Sequence, residues 1–325
     1  MATSPAAPVQ RPPGPARVPW AALAAAVTVL LWASAFVGVR AAGHDYPPGA
    51  LALGRQLAAT VALTGVVLAR AARRGRAPRL PRGRTLAGIA VWGAAWFGLY
   101  NLALNGAERH LDAGTTSLLV NVAPVLVAVL AGLLLGEGFP RRLLAGIAVA
   151  LAGVAVITLA TSTGRADTAG VLLGLAAAVL YASSAVAQKR LLQQVDALTM
   201  TWLGCLAGAV TTLPFTPDLV VAAGTAPVSA TATVLYLGLF PTAVAFLAWG
   251  YALSRTSAGR LAATTYAVPA LVVALSWLLL GEVPAPLALT GGALCLVGVA
   301  VATLHRARPA RPEPAAPATT PLATG

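Results

Sequence analysis

Long apolar segments alternate with short loops rich in glycine, proline and arginine along most of the chain. Ten of these segments have about the length, roughly 20 residues, that a helix needs to cross a bilayer. They cover residues 20–39, 48–69, 85–105, 114–135, 142–160, 169–188, 197–215, 229–252, 259–280 and 286–304. The pattern predicts an all-α integral membrane protein with ten transmembrane helices, since the alternating segments typical of a transmembrane β-barrel are absent.

The composition agrees with burial in lipid. Of the 325 residues 58% are hydrophobic and 10% are charged, whereas soluble domains carry about 25% charged residues. So few charges cannot cover a surface that faces water, but lipid requires an apolar exterior. Residues 1–19 and 306–325 are rich in proline and alanine and lack an apolar segment. We expect both to be disordered tails, and the first not to be a signal peptide.

Basic residues are distributed unevenly between alternate loops. Seven arginines lie between the second and third predicted helices, at residues 70–84. If that loop is cytoplasmic, as the positive-inside rule requires, 18 of the 22 Lys and Arg residues fall on the cytoplasmic side. Both termini are then cytoplasmic. The formal net charge of +13 is spread along loops and forms no single basic face, so we expect no nucleic-acid partner.

Two segments are nearly identical: PVLVAVLAGLLLGE at 124–137 and PALVVALSWLLLGE at 269–282. A shift of 145 residues aligns them and extends the match from about residue 113 to 302, and a shift of 149 aligns WASAFVGVR with YASSAVAQK. We therefore predict two five-helix repeats, at residues 20–160 and 166–305. Because five is odd, the second repeat is inverted in the membrane. Inverted repeats are typical of secondary transporters, which bind their solute between the repeats.

These segments resemble the EamA-type, ten-helix branch of the drug/metabolite transporter superfamily. The resemblance rests on WASAFVGVR, on PPGALALGRQLAA at 47–59 and on the doubled G…P…LLLGE…G…G pattern, and it covers about residues 20–304. It implies ten helices around a central cavity between inverted halves. It also implies a permease that exports amino acids or other small metabolites by alternating access, without identifying the substrate.

We therefore expect a secondary transporter that moves a small-molecule solute, an amino acid or a related compound, out of the cell. A carrier of drugs or lipid-linked sugars is the alternative within transport. A non-transporting scaffold or a membrane enzyme is the alternative from another class. HExxH, GxSxG and Walker motifs are absent from the sequence, so we expect no enzyme, no metal and no cofactor.

The expected location is the inner membrane of a bacterium, where the chain would be a multi-pass protein. The abundance of alanine, glycine, proline and arginine, with a single lysine, is typical of a GC-rich bacterial genome. Two fused halves already enclose a cavity, so a monomer is sufficient. The sequence leaves a dimer open.

Arg55 lies well inside a predicted helix, whereas the other cations lie in loops, tails or helix ends. A charge at the centre of a transmembrane helix costs about 3 kcal/mol, so the side chain should face protein or a wet cavity. It would either bind the carboxylate of a substrate or serve a structural role on backbone carbonyls.

Polar and aromatic side chains in the predicted helices are further candidates for the cavity. An aromatic and amide pocket suits a small polar or amphipathic solute, although packing and interhelical hydrogen bonds would use the same residue types. With Arg55, the candidate substrate-binding residues are Trp32, Ser34, Trp96, Tyr100, Asn101, Asn121, Tyr181, Ser183, Thr265 and Tyr266.

Pro124 and Pro269 lie in the middle of the fourth and ninth predicted helices, where a proline removes a backbone hydrogen bond and kinks the helix. We predict a hinge at each. Glu137 and Glu282 end the same helices, each after a glycine that permits a tight turn. We interpret both as acceptors for the first amides of the next helix. A role in proton coupling, for these two or for Glu108, is the alternative.

Overall fold

A computed structural model describes residues 20–77, 80–123, 125–126, 130, 141–161, 165–253, 255, 261 and 264–303. The two tails, Pro124 and Glu137 lie outside these residues. The described backbone is helical and contains no strand, which confirms the all-α prediction. Its α-helices are α1 Trp20–Ala42, α2 Pro48–Arg74, α3 Gly83–Gly93, α4 Tyr100–Ala107, α5 Ala113–Val120, α6 Arg141–Thr161, α7 Arg165–Leu191, α8 Ala197–Thr212, α9 Thr216–Thr225, α10 Val228–Leu237, α11 Ala245–Leu253, α12 Val268–Leu280 and α13 Pro286–Thr303.

The outer surface of the helices is apolar. Val61 and Leu159, for example, are 72% and 73% exposed. Such side chains suit a hydrocarbon environment, in which helices satisfy their own backbone hydrogen bonds. The protein is therefore embedded in a membrane and crosses it several times. Six described segments are long and apolar enough to span it: Trp20–Ala42, Pro48–Arg74, Gly83–Ala107, Thr168–Leu191, Ala197–Thr225 and Val228–Leu253.

Residues with special backbone properties mark several helix ends. The side chain of Asp112 accepts a hydrogen bond from the Thr115 amide at the start of α5, which satisfies one of the free N–H groups there. Pro48 lies in the first turn of α2, where its missing N–H costs nothing. Gly75 and Gly281 end α2 and α12 with φ of 59° and 68°, a left-handed conformation that glycine adopts without strain.

Two of the long helices contain a π-helical segment. Ala94–Leu99 joins α3 to α4, and Gly238–Val244 joins α10 to α11. A π-helical turn interrupts the regular hydrogen-bond ladder and is frequent at functional sites. Both segments turn buried side chains toward the interior of the bundle, where α1 packs against α11 and α12, α2 against α8, and α4 against α7.

The region of Pro269 differs from the prediction. The 3-10 turn Thr265–Ala267 directly precedes α12, and Pro269 lies in the first turn of α12 rather than inside a continuous helix. The first amides of a helix have no partner within the helix, so proline loses no hydrogen bond in that position. The span is thus interrupted just before the proline, and its use as a hinge stays a prediction.

Helices α6 and α13 approach each other through glycines. A Cβ atom added to Gly153 would lie 2.5 Å from the carbonyl oxygen of Gly291, and one added to Gly298 would lie 2.7 Å from that of Gly146. From the first contact to the second, the residue number falls on α6 and rises on α13, so the two helices are antiparallel. Small residues allow this close backbone approach, which favours helix association in lipid.

We expect Gly153→Ala to lower the free energy of unfolding by about 1–3 kcal/mol, because the added methyl group forces the two backbones apart. Thermal unfolding in detergent would measure the loss. Gly65→Ala is the matched control, since nothing lies within 4 Å of a Cβ atom at that helical position. Equal melting temperatures for the two variants would contradict the packing role of Gly153.

Candidate substrate cavity

An interior cavity lies among α1, α2, α4, α5, α7, α11, α12 and both π-helical segments. It leaves about 70 Å³ for the centres of water-sized molecules. Eight of the candidate residues from the sequence line it, and the structure therefore brings together side chains from the two halves of the chain. These residues are Trp32, Arg55, Trp96, Tyr100, Asn101, Asn121, Tyr181 and Thr265.

Three candidates lie outside the lining. Ser34 shares a 2.7 Å hydrogen bond with the hydroxyl of Tyr236, and Ser183 is exposed and donates to the carbonyl of Val179. Each serine follows a cavity aromatic by two residues, a rotation of about 200° around a helix of 3.6 residues per turn. Tyr266 is half-buried in a separate apolar cluster.

The sequence reasoning missed several residues of the wall. Pro241 and Thr242 interrupt the predicted helix at 229–252, and a proline inside an apolar segment was the same signal that singled out Pro124 and Pro269. The missed aromatic residues carried no such signal, because their type is common in any apolar helix. They are Phe36, Phe97 and Phe246.

Aromatic rings form one continuous wall. The ring centroid of Trp96 lies 5.4 Å from that of Tyr181 and 5.3 Å from that of Phe246, and Trp32 lies 5.4 Å from Phe246. Such contacts hold the rings in fixed orientations. The wall can bind an apolar group, and its faces also attract a cation.

A chain of hydrogen bonds holds Arg55 in the cavity wall. Its Nη2 and Nε donate to Oγ1 of Thr242 at 2.9 and 3.2 Å, and that hydroxyl donates to the carbonyl of Leu237 at 2.9 Å. In a regular helix the residue that bonds Leu237 would be Pro241, which has no N–H. The threonine hydroxyl donates to the carbonyl of Leu237 in this π-helical turn, and the lone pairs of the hydroxyl receive the guanidinium.

The guanidinium keeps one free donor. Arg55 is 5% exposed, and its Nη1 is buried without a hydrogen-bond partner among the described residues. A buried unpaired donor on a charged group costs several kcal/mol. A ligand with an acceptor, above all a carboxylate, would remove that cost.

Asn101 presents the complementary group. Its Nδ2 donates to the carbonyls of Trp96 and Phe97 at 3.2 and 2.9 Å, which fixes the orientation of the amide. Its Oδ1 is buried and has no partner within the described part of the chain. The cavity thus offers a free donor on Arg55 and a free acceptor on Asn101, next to an aromatic wall.

Glu282 lies away from the cavity. Its carboxylate bonds a side chain of α1 and not, as interpreted from the sequence, the first amides of the next helix. Its two carboxylate oxygens accept hydrogen bonds from Nε of Arg40, on α1, at 3.0 and 3.1 Å. The left-handed Gly281 turns the chain so that the carboxylate points across to α1. The ion pair therefore connects the ends of α1 and α12.

An apolar helical bundle that encloses a charged, partly unsatisfied cavity within the membrane is the arrangement of a solute transporter. The EamA-like transporter family matches residues 19–159 and 168–304, and the chain belongs to this family. The protein is thus a membrane transporter and not an enzyme, as the sequence predicts.

Relatives of the chain include named exporters. The chain is 43% identical over 275 residues, 84% of its length and 90% of the relative, to a "Probable terminal-alkyne amino-acid exporter" of Streptantibioticus cattleyicolor. It is 26% identical over 286 residues, 85% and 92% of the two chains, to a "Probable amino-acid metabolite efflux pump" of Salmonella typhimurium. A crystal structure that is 23% identical shares the fold, with a TM-score of 0.56 over 87% of this chain and 97% of the other.

We expect Thr242→Val to lower the free energy of unfolding by about 2–3 kcal/mol, because it leaves Nη2 and Nε of the buried Arg55 guanidinium without their partner. Thermal unfolding in detergent would measure this. Thr225→Val, at an exposed hydroxyl that bonds only its own helix, is the control and should change stability little. If the two variants melt alike, Thr242 does not hold Arg55.

Proposed function

We propose that the protein exports an α-amino acid or a closely related zwitterion by alternating access around the cavity. The observation that carries the proposal is the buried, unpartnered Nη1 of Arg55 in the cavity wall. A carboxylate would accept hydrogen bonds from the guanidinium, an interaction about twice as strong as one between neutral groups. The ammonium of the same solute would donate to Oδ1 of Asn101.

The remaining space favours a small apolar side chain. Trp32, Trp96 and Phe246 would surround it with ring surfaces, and about 70 Å³ excludes a bulky group without further opening. A hydrophobic cation would add a second positive charge beside Arg55, and a neutral drug would leave the charge of Arg55 without a counter-charge. The charges therefore favour an amino acid over the drug-carrier alternative.

The direction of transport and the substrate class also draw support from the relatives. One is named as an amino-acid exporter and another as an amino-acid metabolite efflux pump. Efflux across the inner membrane of a bacterium, with both termini in the cytoplasm, is consistent with the concentration of arginine in alternate loops. A monomer suffices, because one chain encloses the cavity.

Alternating access requires two equivalent halves, and the cavity supports a ten-helix chain of two inverted repeats. The π-helical segments Ala94–Leu99 and Gly238–Val244 coincide within one residue after a shift of 145. Pairs of lining residues obey the same shift, as expected for a cavity on an axis between the repeats. They are Trp96 and Pro241, Phe97 and Thr242, Asn101 and Phe246, Val120 and Thr265, and Ala123 and Val268.

The packing of α6 on α13 supports the same symmetry. The shift of 145 turns Gly146 into Gly291 and Gly153 into Gly298. It therefore converts the contact of Gly146 with Gly298 into that of Gly291 with Gly153, and both contacts are present. Across a two-fold axis, a contact between two residues is repeated between their symmetry-related equivalents, as it is here.

The test is flux into or out of proteoliposomes that contain the purified protein. We expect saturable counterflow of small apolar α-amino acids, and no counterflow of their methyl esters, which lack the carboxylate. In the variant Arg55→Lys the positive charge remains, but the ammonium cannot reproduce the planar hydrogen-bond geometry of the guanidinium toward the carboxylate. The apparent affinity for the amino acid should therefore fall about 30-fold or more.

Arg73→Ala, at an exposed arginine near the end of the same helix, is the control and should transport normally. Flux of bulky hydrophobic cations that is insensitive to Arg55→Lys would instead favour a drug carrier. Equal flux of acid and ester would exclude Arg55 as the carboxylate site.

A further inference from the structure

A second cavity lies beyond the end of α4. It leaves about 260 Å³ for the centres of water-sized molecules and is lined by Arg40, Gly43, His44, Glu108 and Arg109. Glu108 directly follows α4 and is only 3% exposed. It lies one helical turn beyond Leu104, which lines the substrate cavity. Its carboxyl group is thus placed where a movement of this helix end would affect both cavities.

The carboxyl group of Glu108 has no hydrogen-bond partner. Both of its oxygens are buried, and neither contacts a donor among the residues that the structure describes. Arg40 lies against Glu108 but bonds elsewhere: its Nη1 donates to the backbone carbonyl of Glu108 at 2.7 Å, and its Nε to the carboxylate of Glu282. One arginine therefore faces two carboxyl groups and forms an ion pair with one of them.

The surroundings of Glu108 favour its neutral form. Burial raises the pKa of this carboxyl group well above its usual range. Arg40 opposes this, nearby Asp112 and Glu282 raise the pKa further, and Arg55 on α2 lowers it.

The other neighbours do not alter this balance. Arg109 donates to the carbonyl of Gly43, and His44 lies across the second cavity. From α7, Gly170 and Leu173 face this helix end, and both are uncharged. These surroundings therefore favour the protonated form of the carboxyl group.

We propose that Glu108 is a proton-binding site that couples solute export to proton entry, and that Arg40 exchanges its partner from Glu282 to Glu108 when the substrate cavity opens to the cytoplasm. In that state the O–H bond of Glu108 breaks, the proton passes to cytoplasmic water, and the carboxylate pairs with Arg40. When the substrate cavity opens to the outside, Glu108 takes up one proton through the second cavity and Arg40 returns to Glu282.

This exchange gives antiport. By the distribution of arginine, the second cavity is on the outer side, so Glu108 takes up its proton from outside. Loss of the proton to the cytoplasm, through the substrate cavity, then favours the state that opens outward with bound solute. The coupling rests on the proposed transport function, but the proton site itself can be measured without any solute.

Infrared spectroscopy of the purified protein tests the proton site. We expect the C=O band of a protonated carboxyl group to persist near neutral pH and to disappear in Glu108→Gln. Asp218→Asn, at an exposed carboxylate in the first turn of α9, should leave the band unchanged. Absence of the band from the unmodified protein, or its persistence in Glu108→Gln, would overturn the assignment.

Proteoliposomes test the coupling. A pH gradient, acid on the outer side, should accelerate solute export by the unmodified protein. In Glu108→Gln this acceleration should be at least tenfold smaller than in the unmodified protein. Its counterflow at equal pH should stay within about twofold of that of the unmodified protein. Acceleration that persists in Glu108→Gln, or that is absent from the unmodified protein, would exclude coupling through Glu108.

Two further outcomes are distinguishable. If no amino acid is transported, the proposed function fails, and the infrared band still decides the proton site. If Glu108→Gln does not yield monodisperse protein, Glu108→Asp replaces it: the carboxyl group remains but moves back by one methylene. The pH midpoint of export should then shift, and an unchanged midpoint would contradict the proposal.

Discussion

The hydrogen bonds between Arg55 and Thr242 impose the strictest constraint on this structure. A guanidinium at the depth of the hydrocarbon is tolerated only where protein or water compensates its charge. The compensation depends on the carbonyl of Leu237, which orients the threonine hydroxyl, and on Gly238, where a Cβ atom would lie only 2.4 Å from the carbonyl oxygen of Arg55. Helix α2 and the second π-helical segment must therefore remain in close contact for the cavity to exist.

Polar chemistry in this apolar chain comes from irregular helices. A regular helix consumes its own backbone groups and presents only side chains. In the first π-helical segment the carbonyls of Trp96 and Phe97 accept from the amide of Asn101, and this leaves Oδ1 available to a solute. In the second segment the carbonyl of Leu237 orients the hydroxyl of Thr242. The same irregularity at equivalent places thus supplies an acceptor on one side and a fixed cation on the other.

The sequence predicted the helical class, the family and Arg55 in the cavity wall, because segment length and an isolated charge do not depend on the details of packing. For example, the apolar segment at 48–69 became the helix Pro48–Arg74. It did not predict which face of each helix points inward. Ser34 and Ser183 are polar residues of the same helices as Trp32 and Tyr181, but they lie about 200° away from them around the helix.

The remaining differences have related causes. A π-helical turn changes the phase of the side chains that follow it, so the contribution of Phe246 could not be read from a period of 3.6 residues. The ion pair of Glu282 with Arg40 joins residues far apart in sequence, and no local pattern indicates it. The number of spanning helices, their orientation and the inverted repeats stay predictions.

The glycine contact between α6 and α13 has a consequence for biosynthesis. During translation Gly153 emerges from the ribosome about 140 residues before Gly291, a delay of roughly 7 to 28 s at about 5–20 residues per second. Throughout that interval the glycine face of α6 has no α13 to pack against and must be covered by lipid or by another protein. The synthesis of α13 therefore completes this packing, and a chain that ends before it would leave this face open to quality-control proteases.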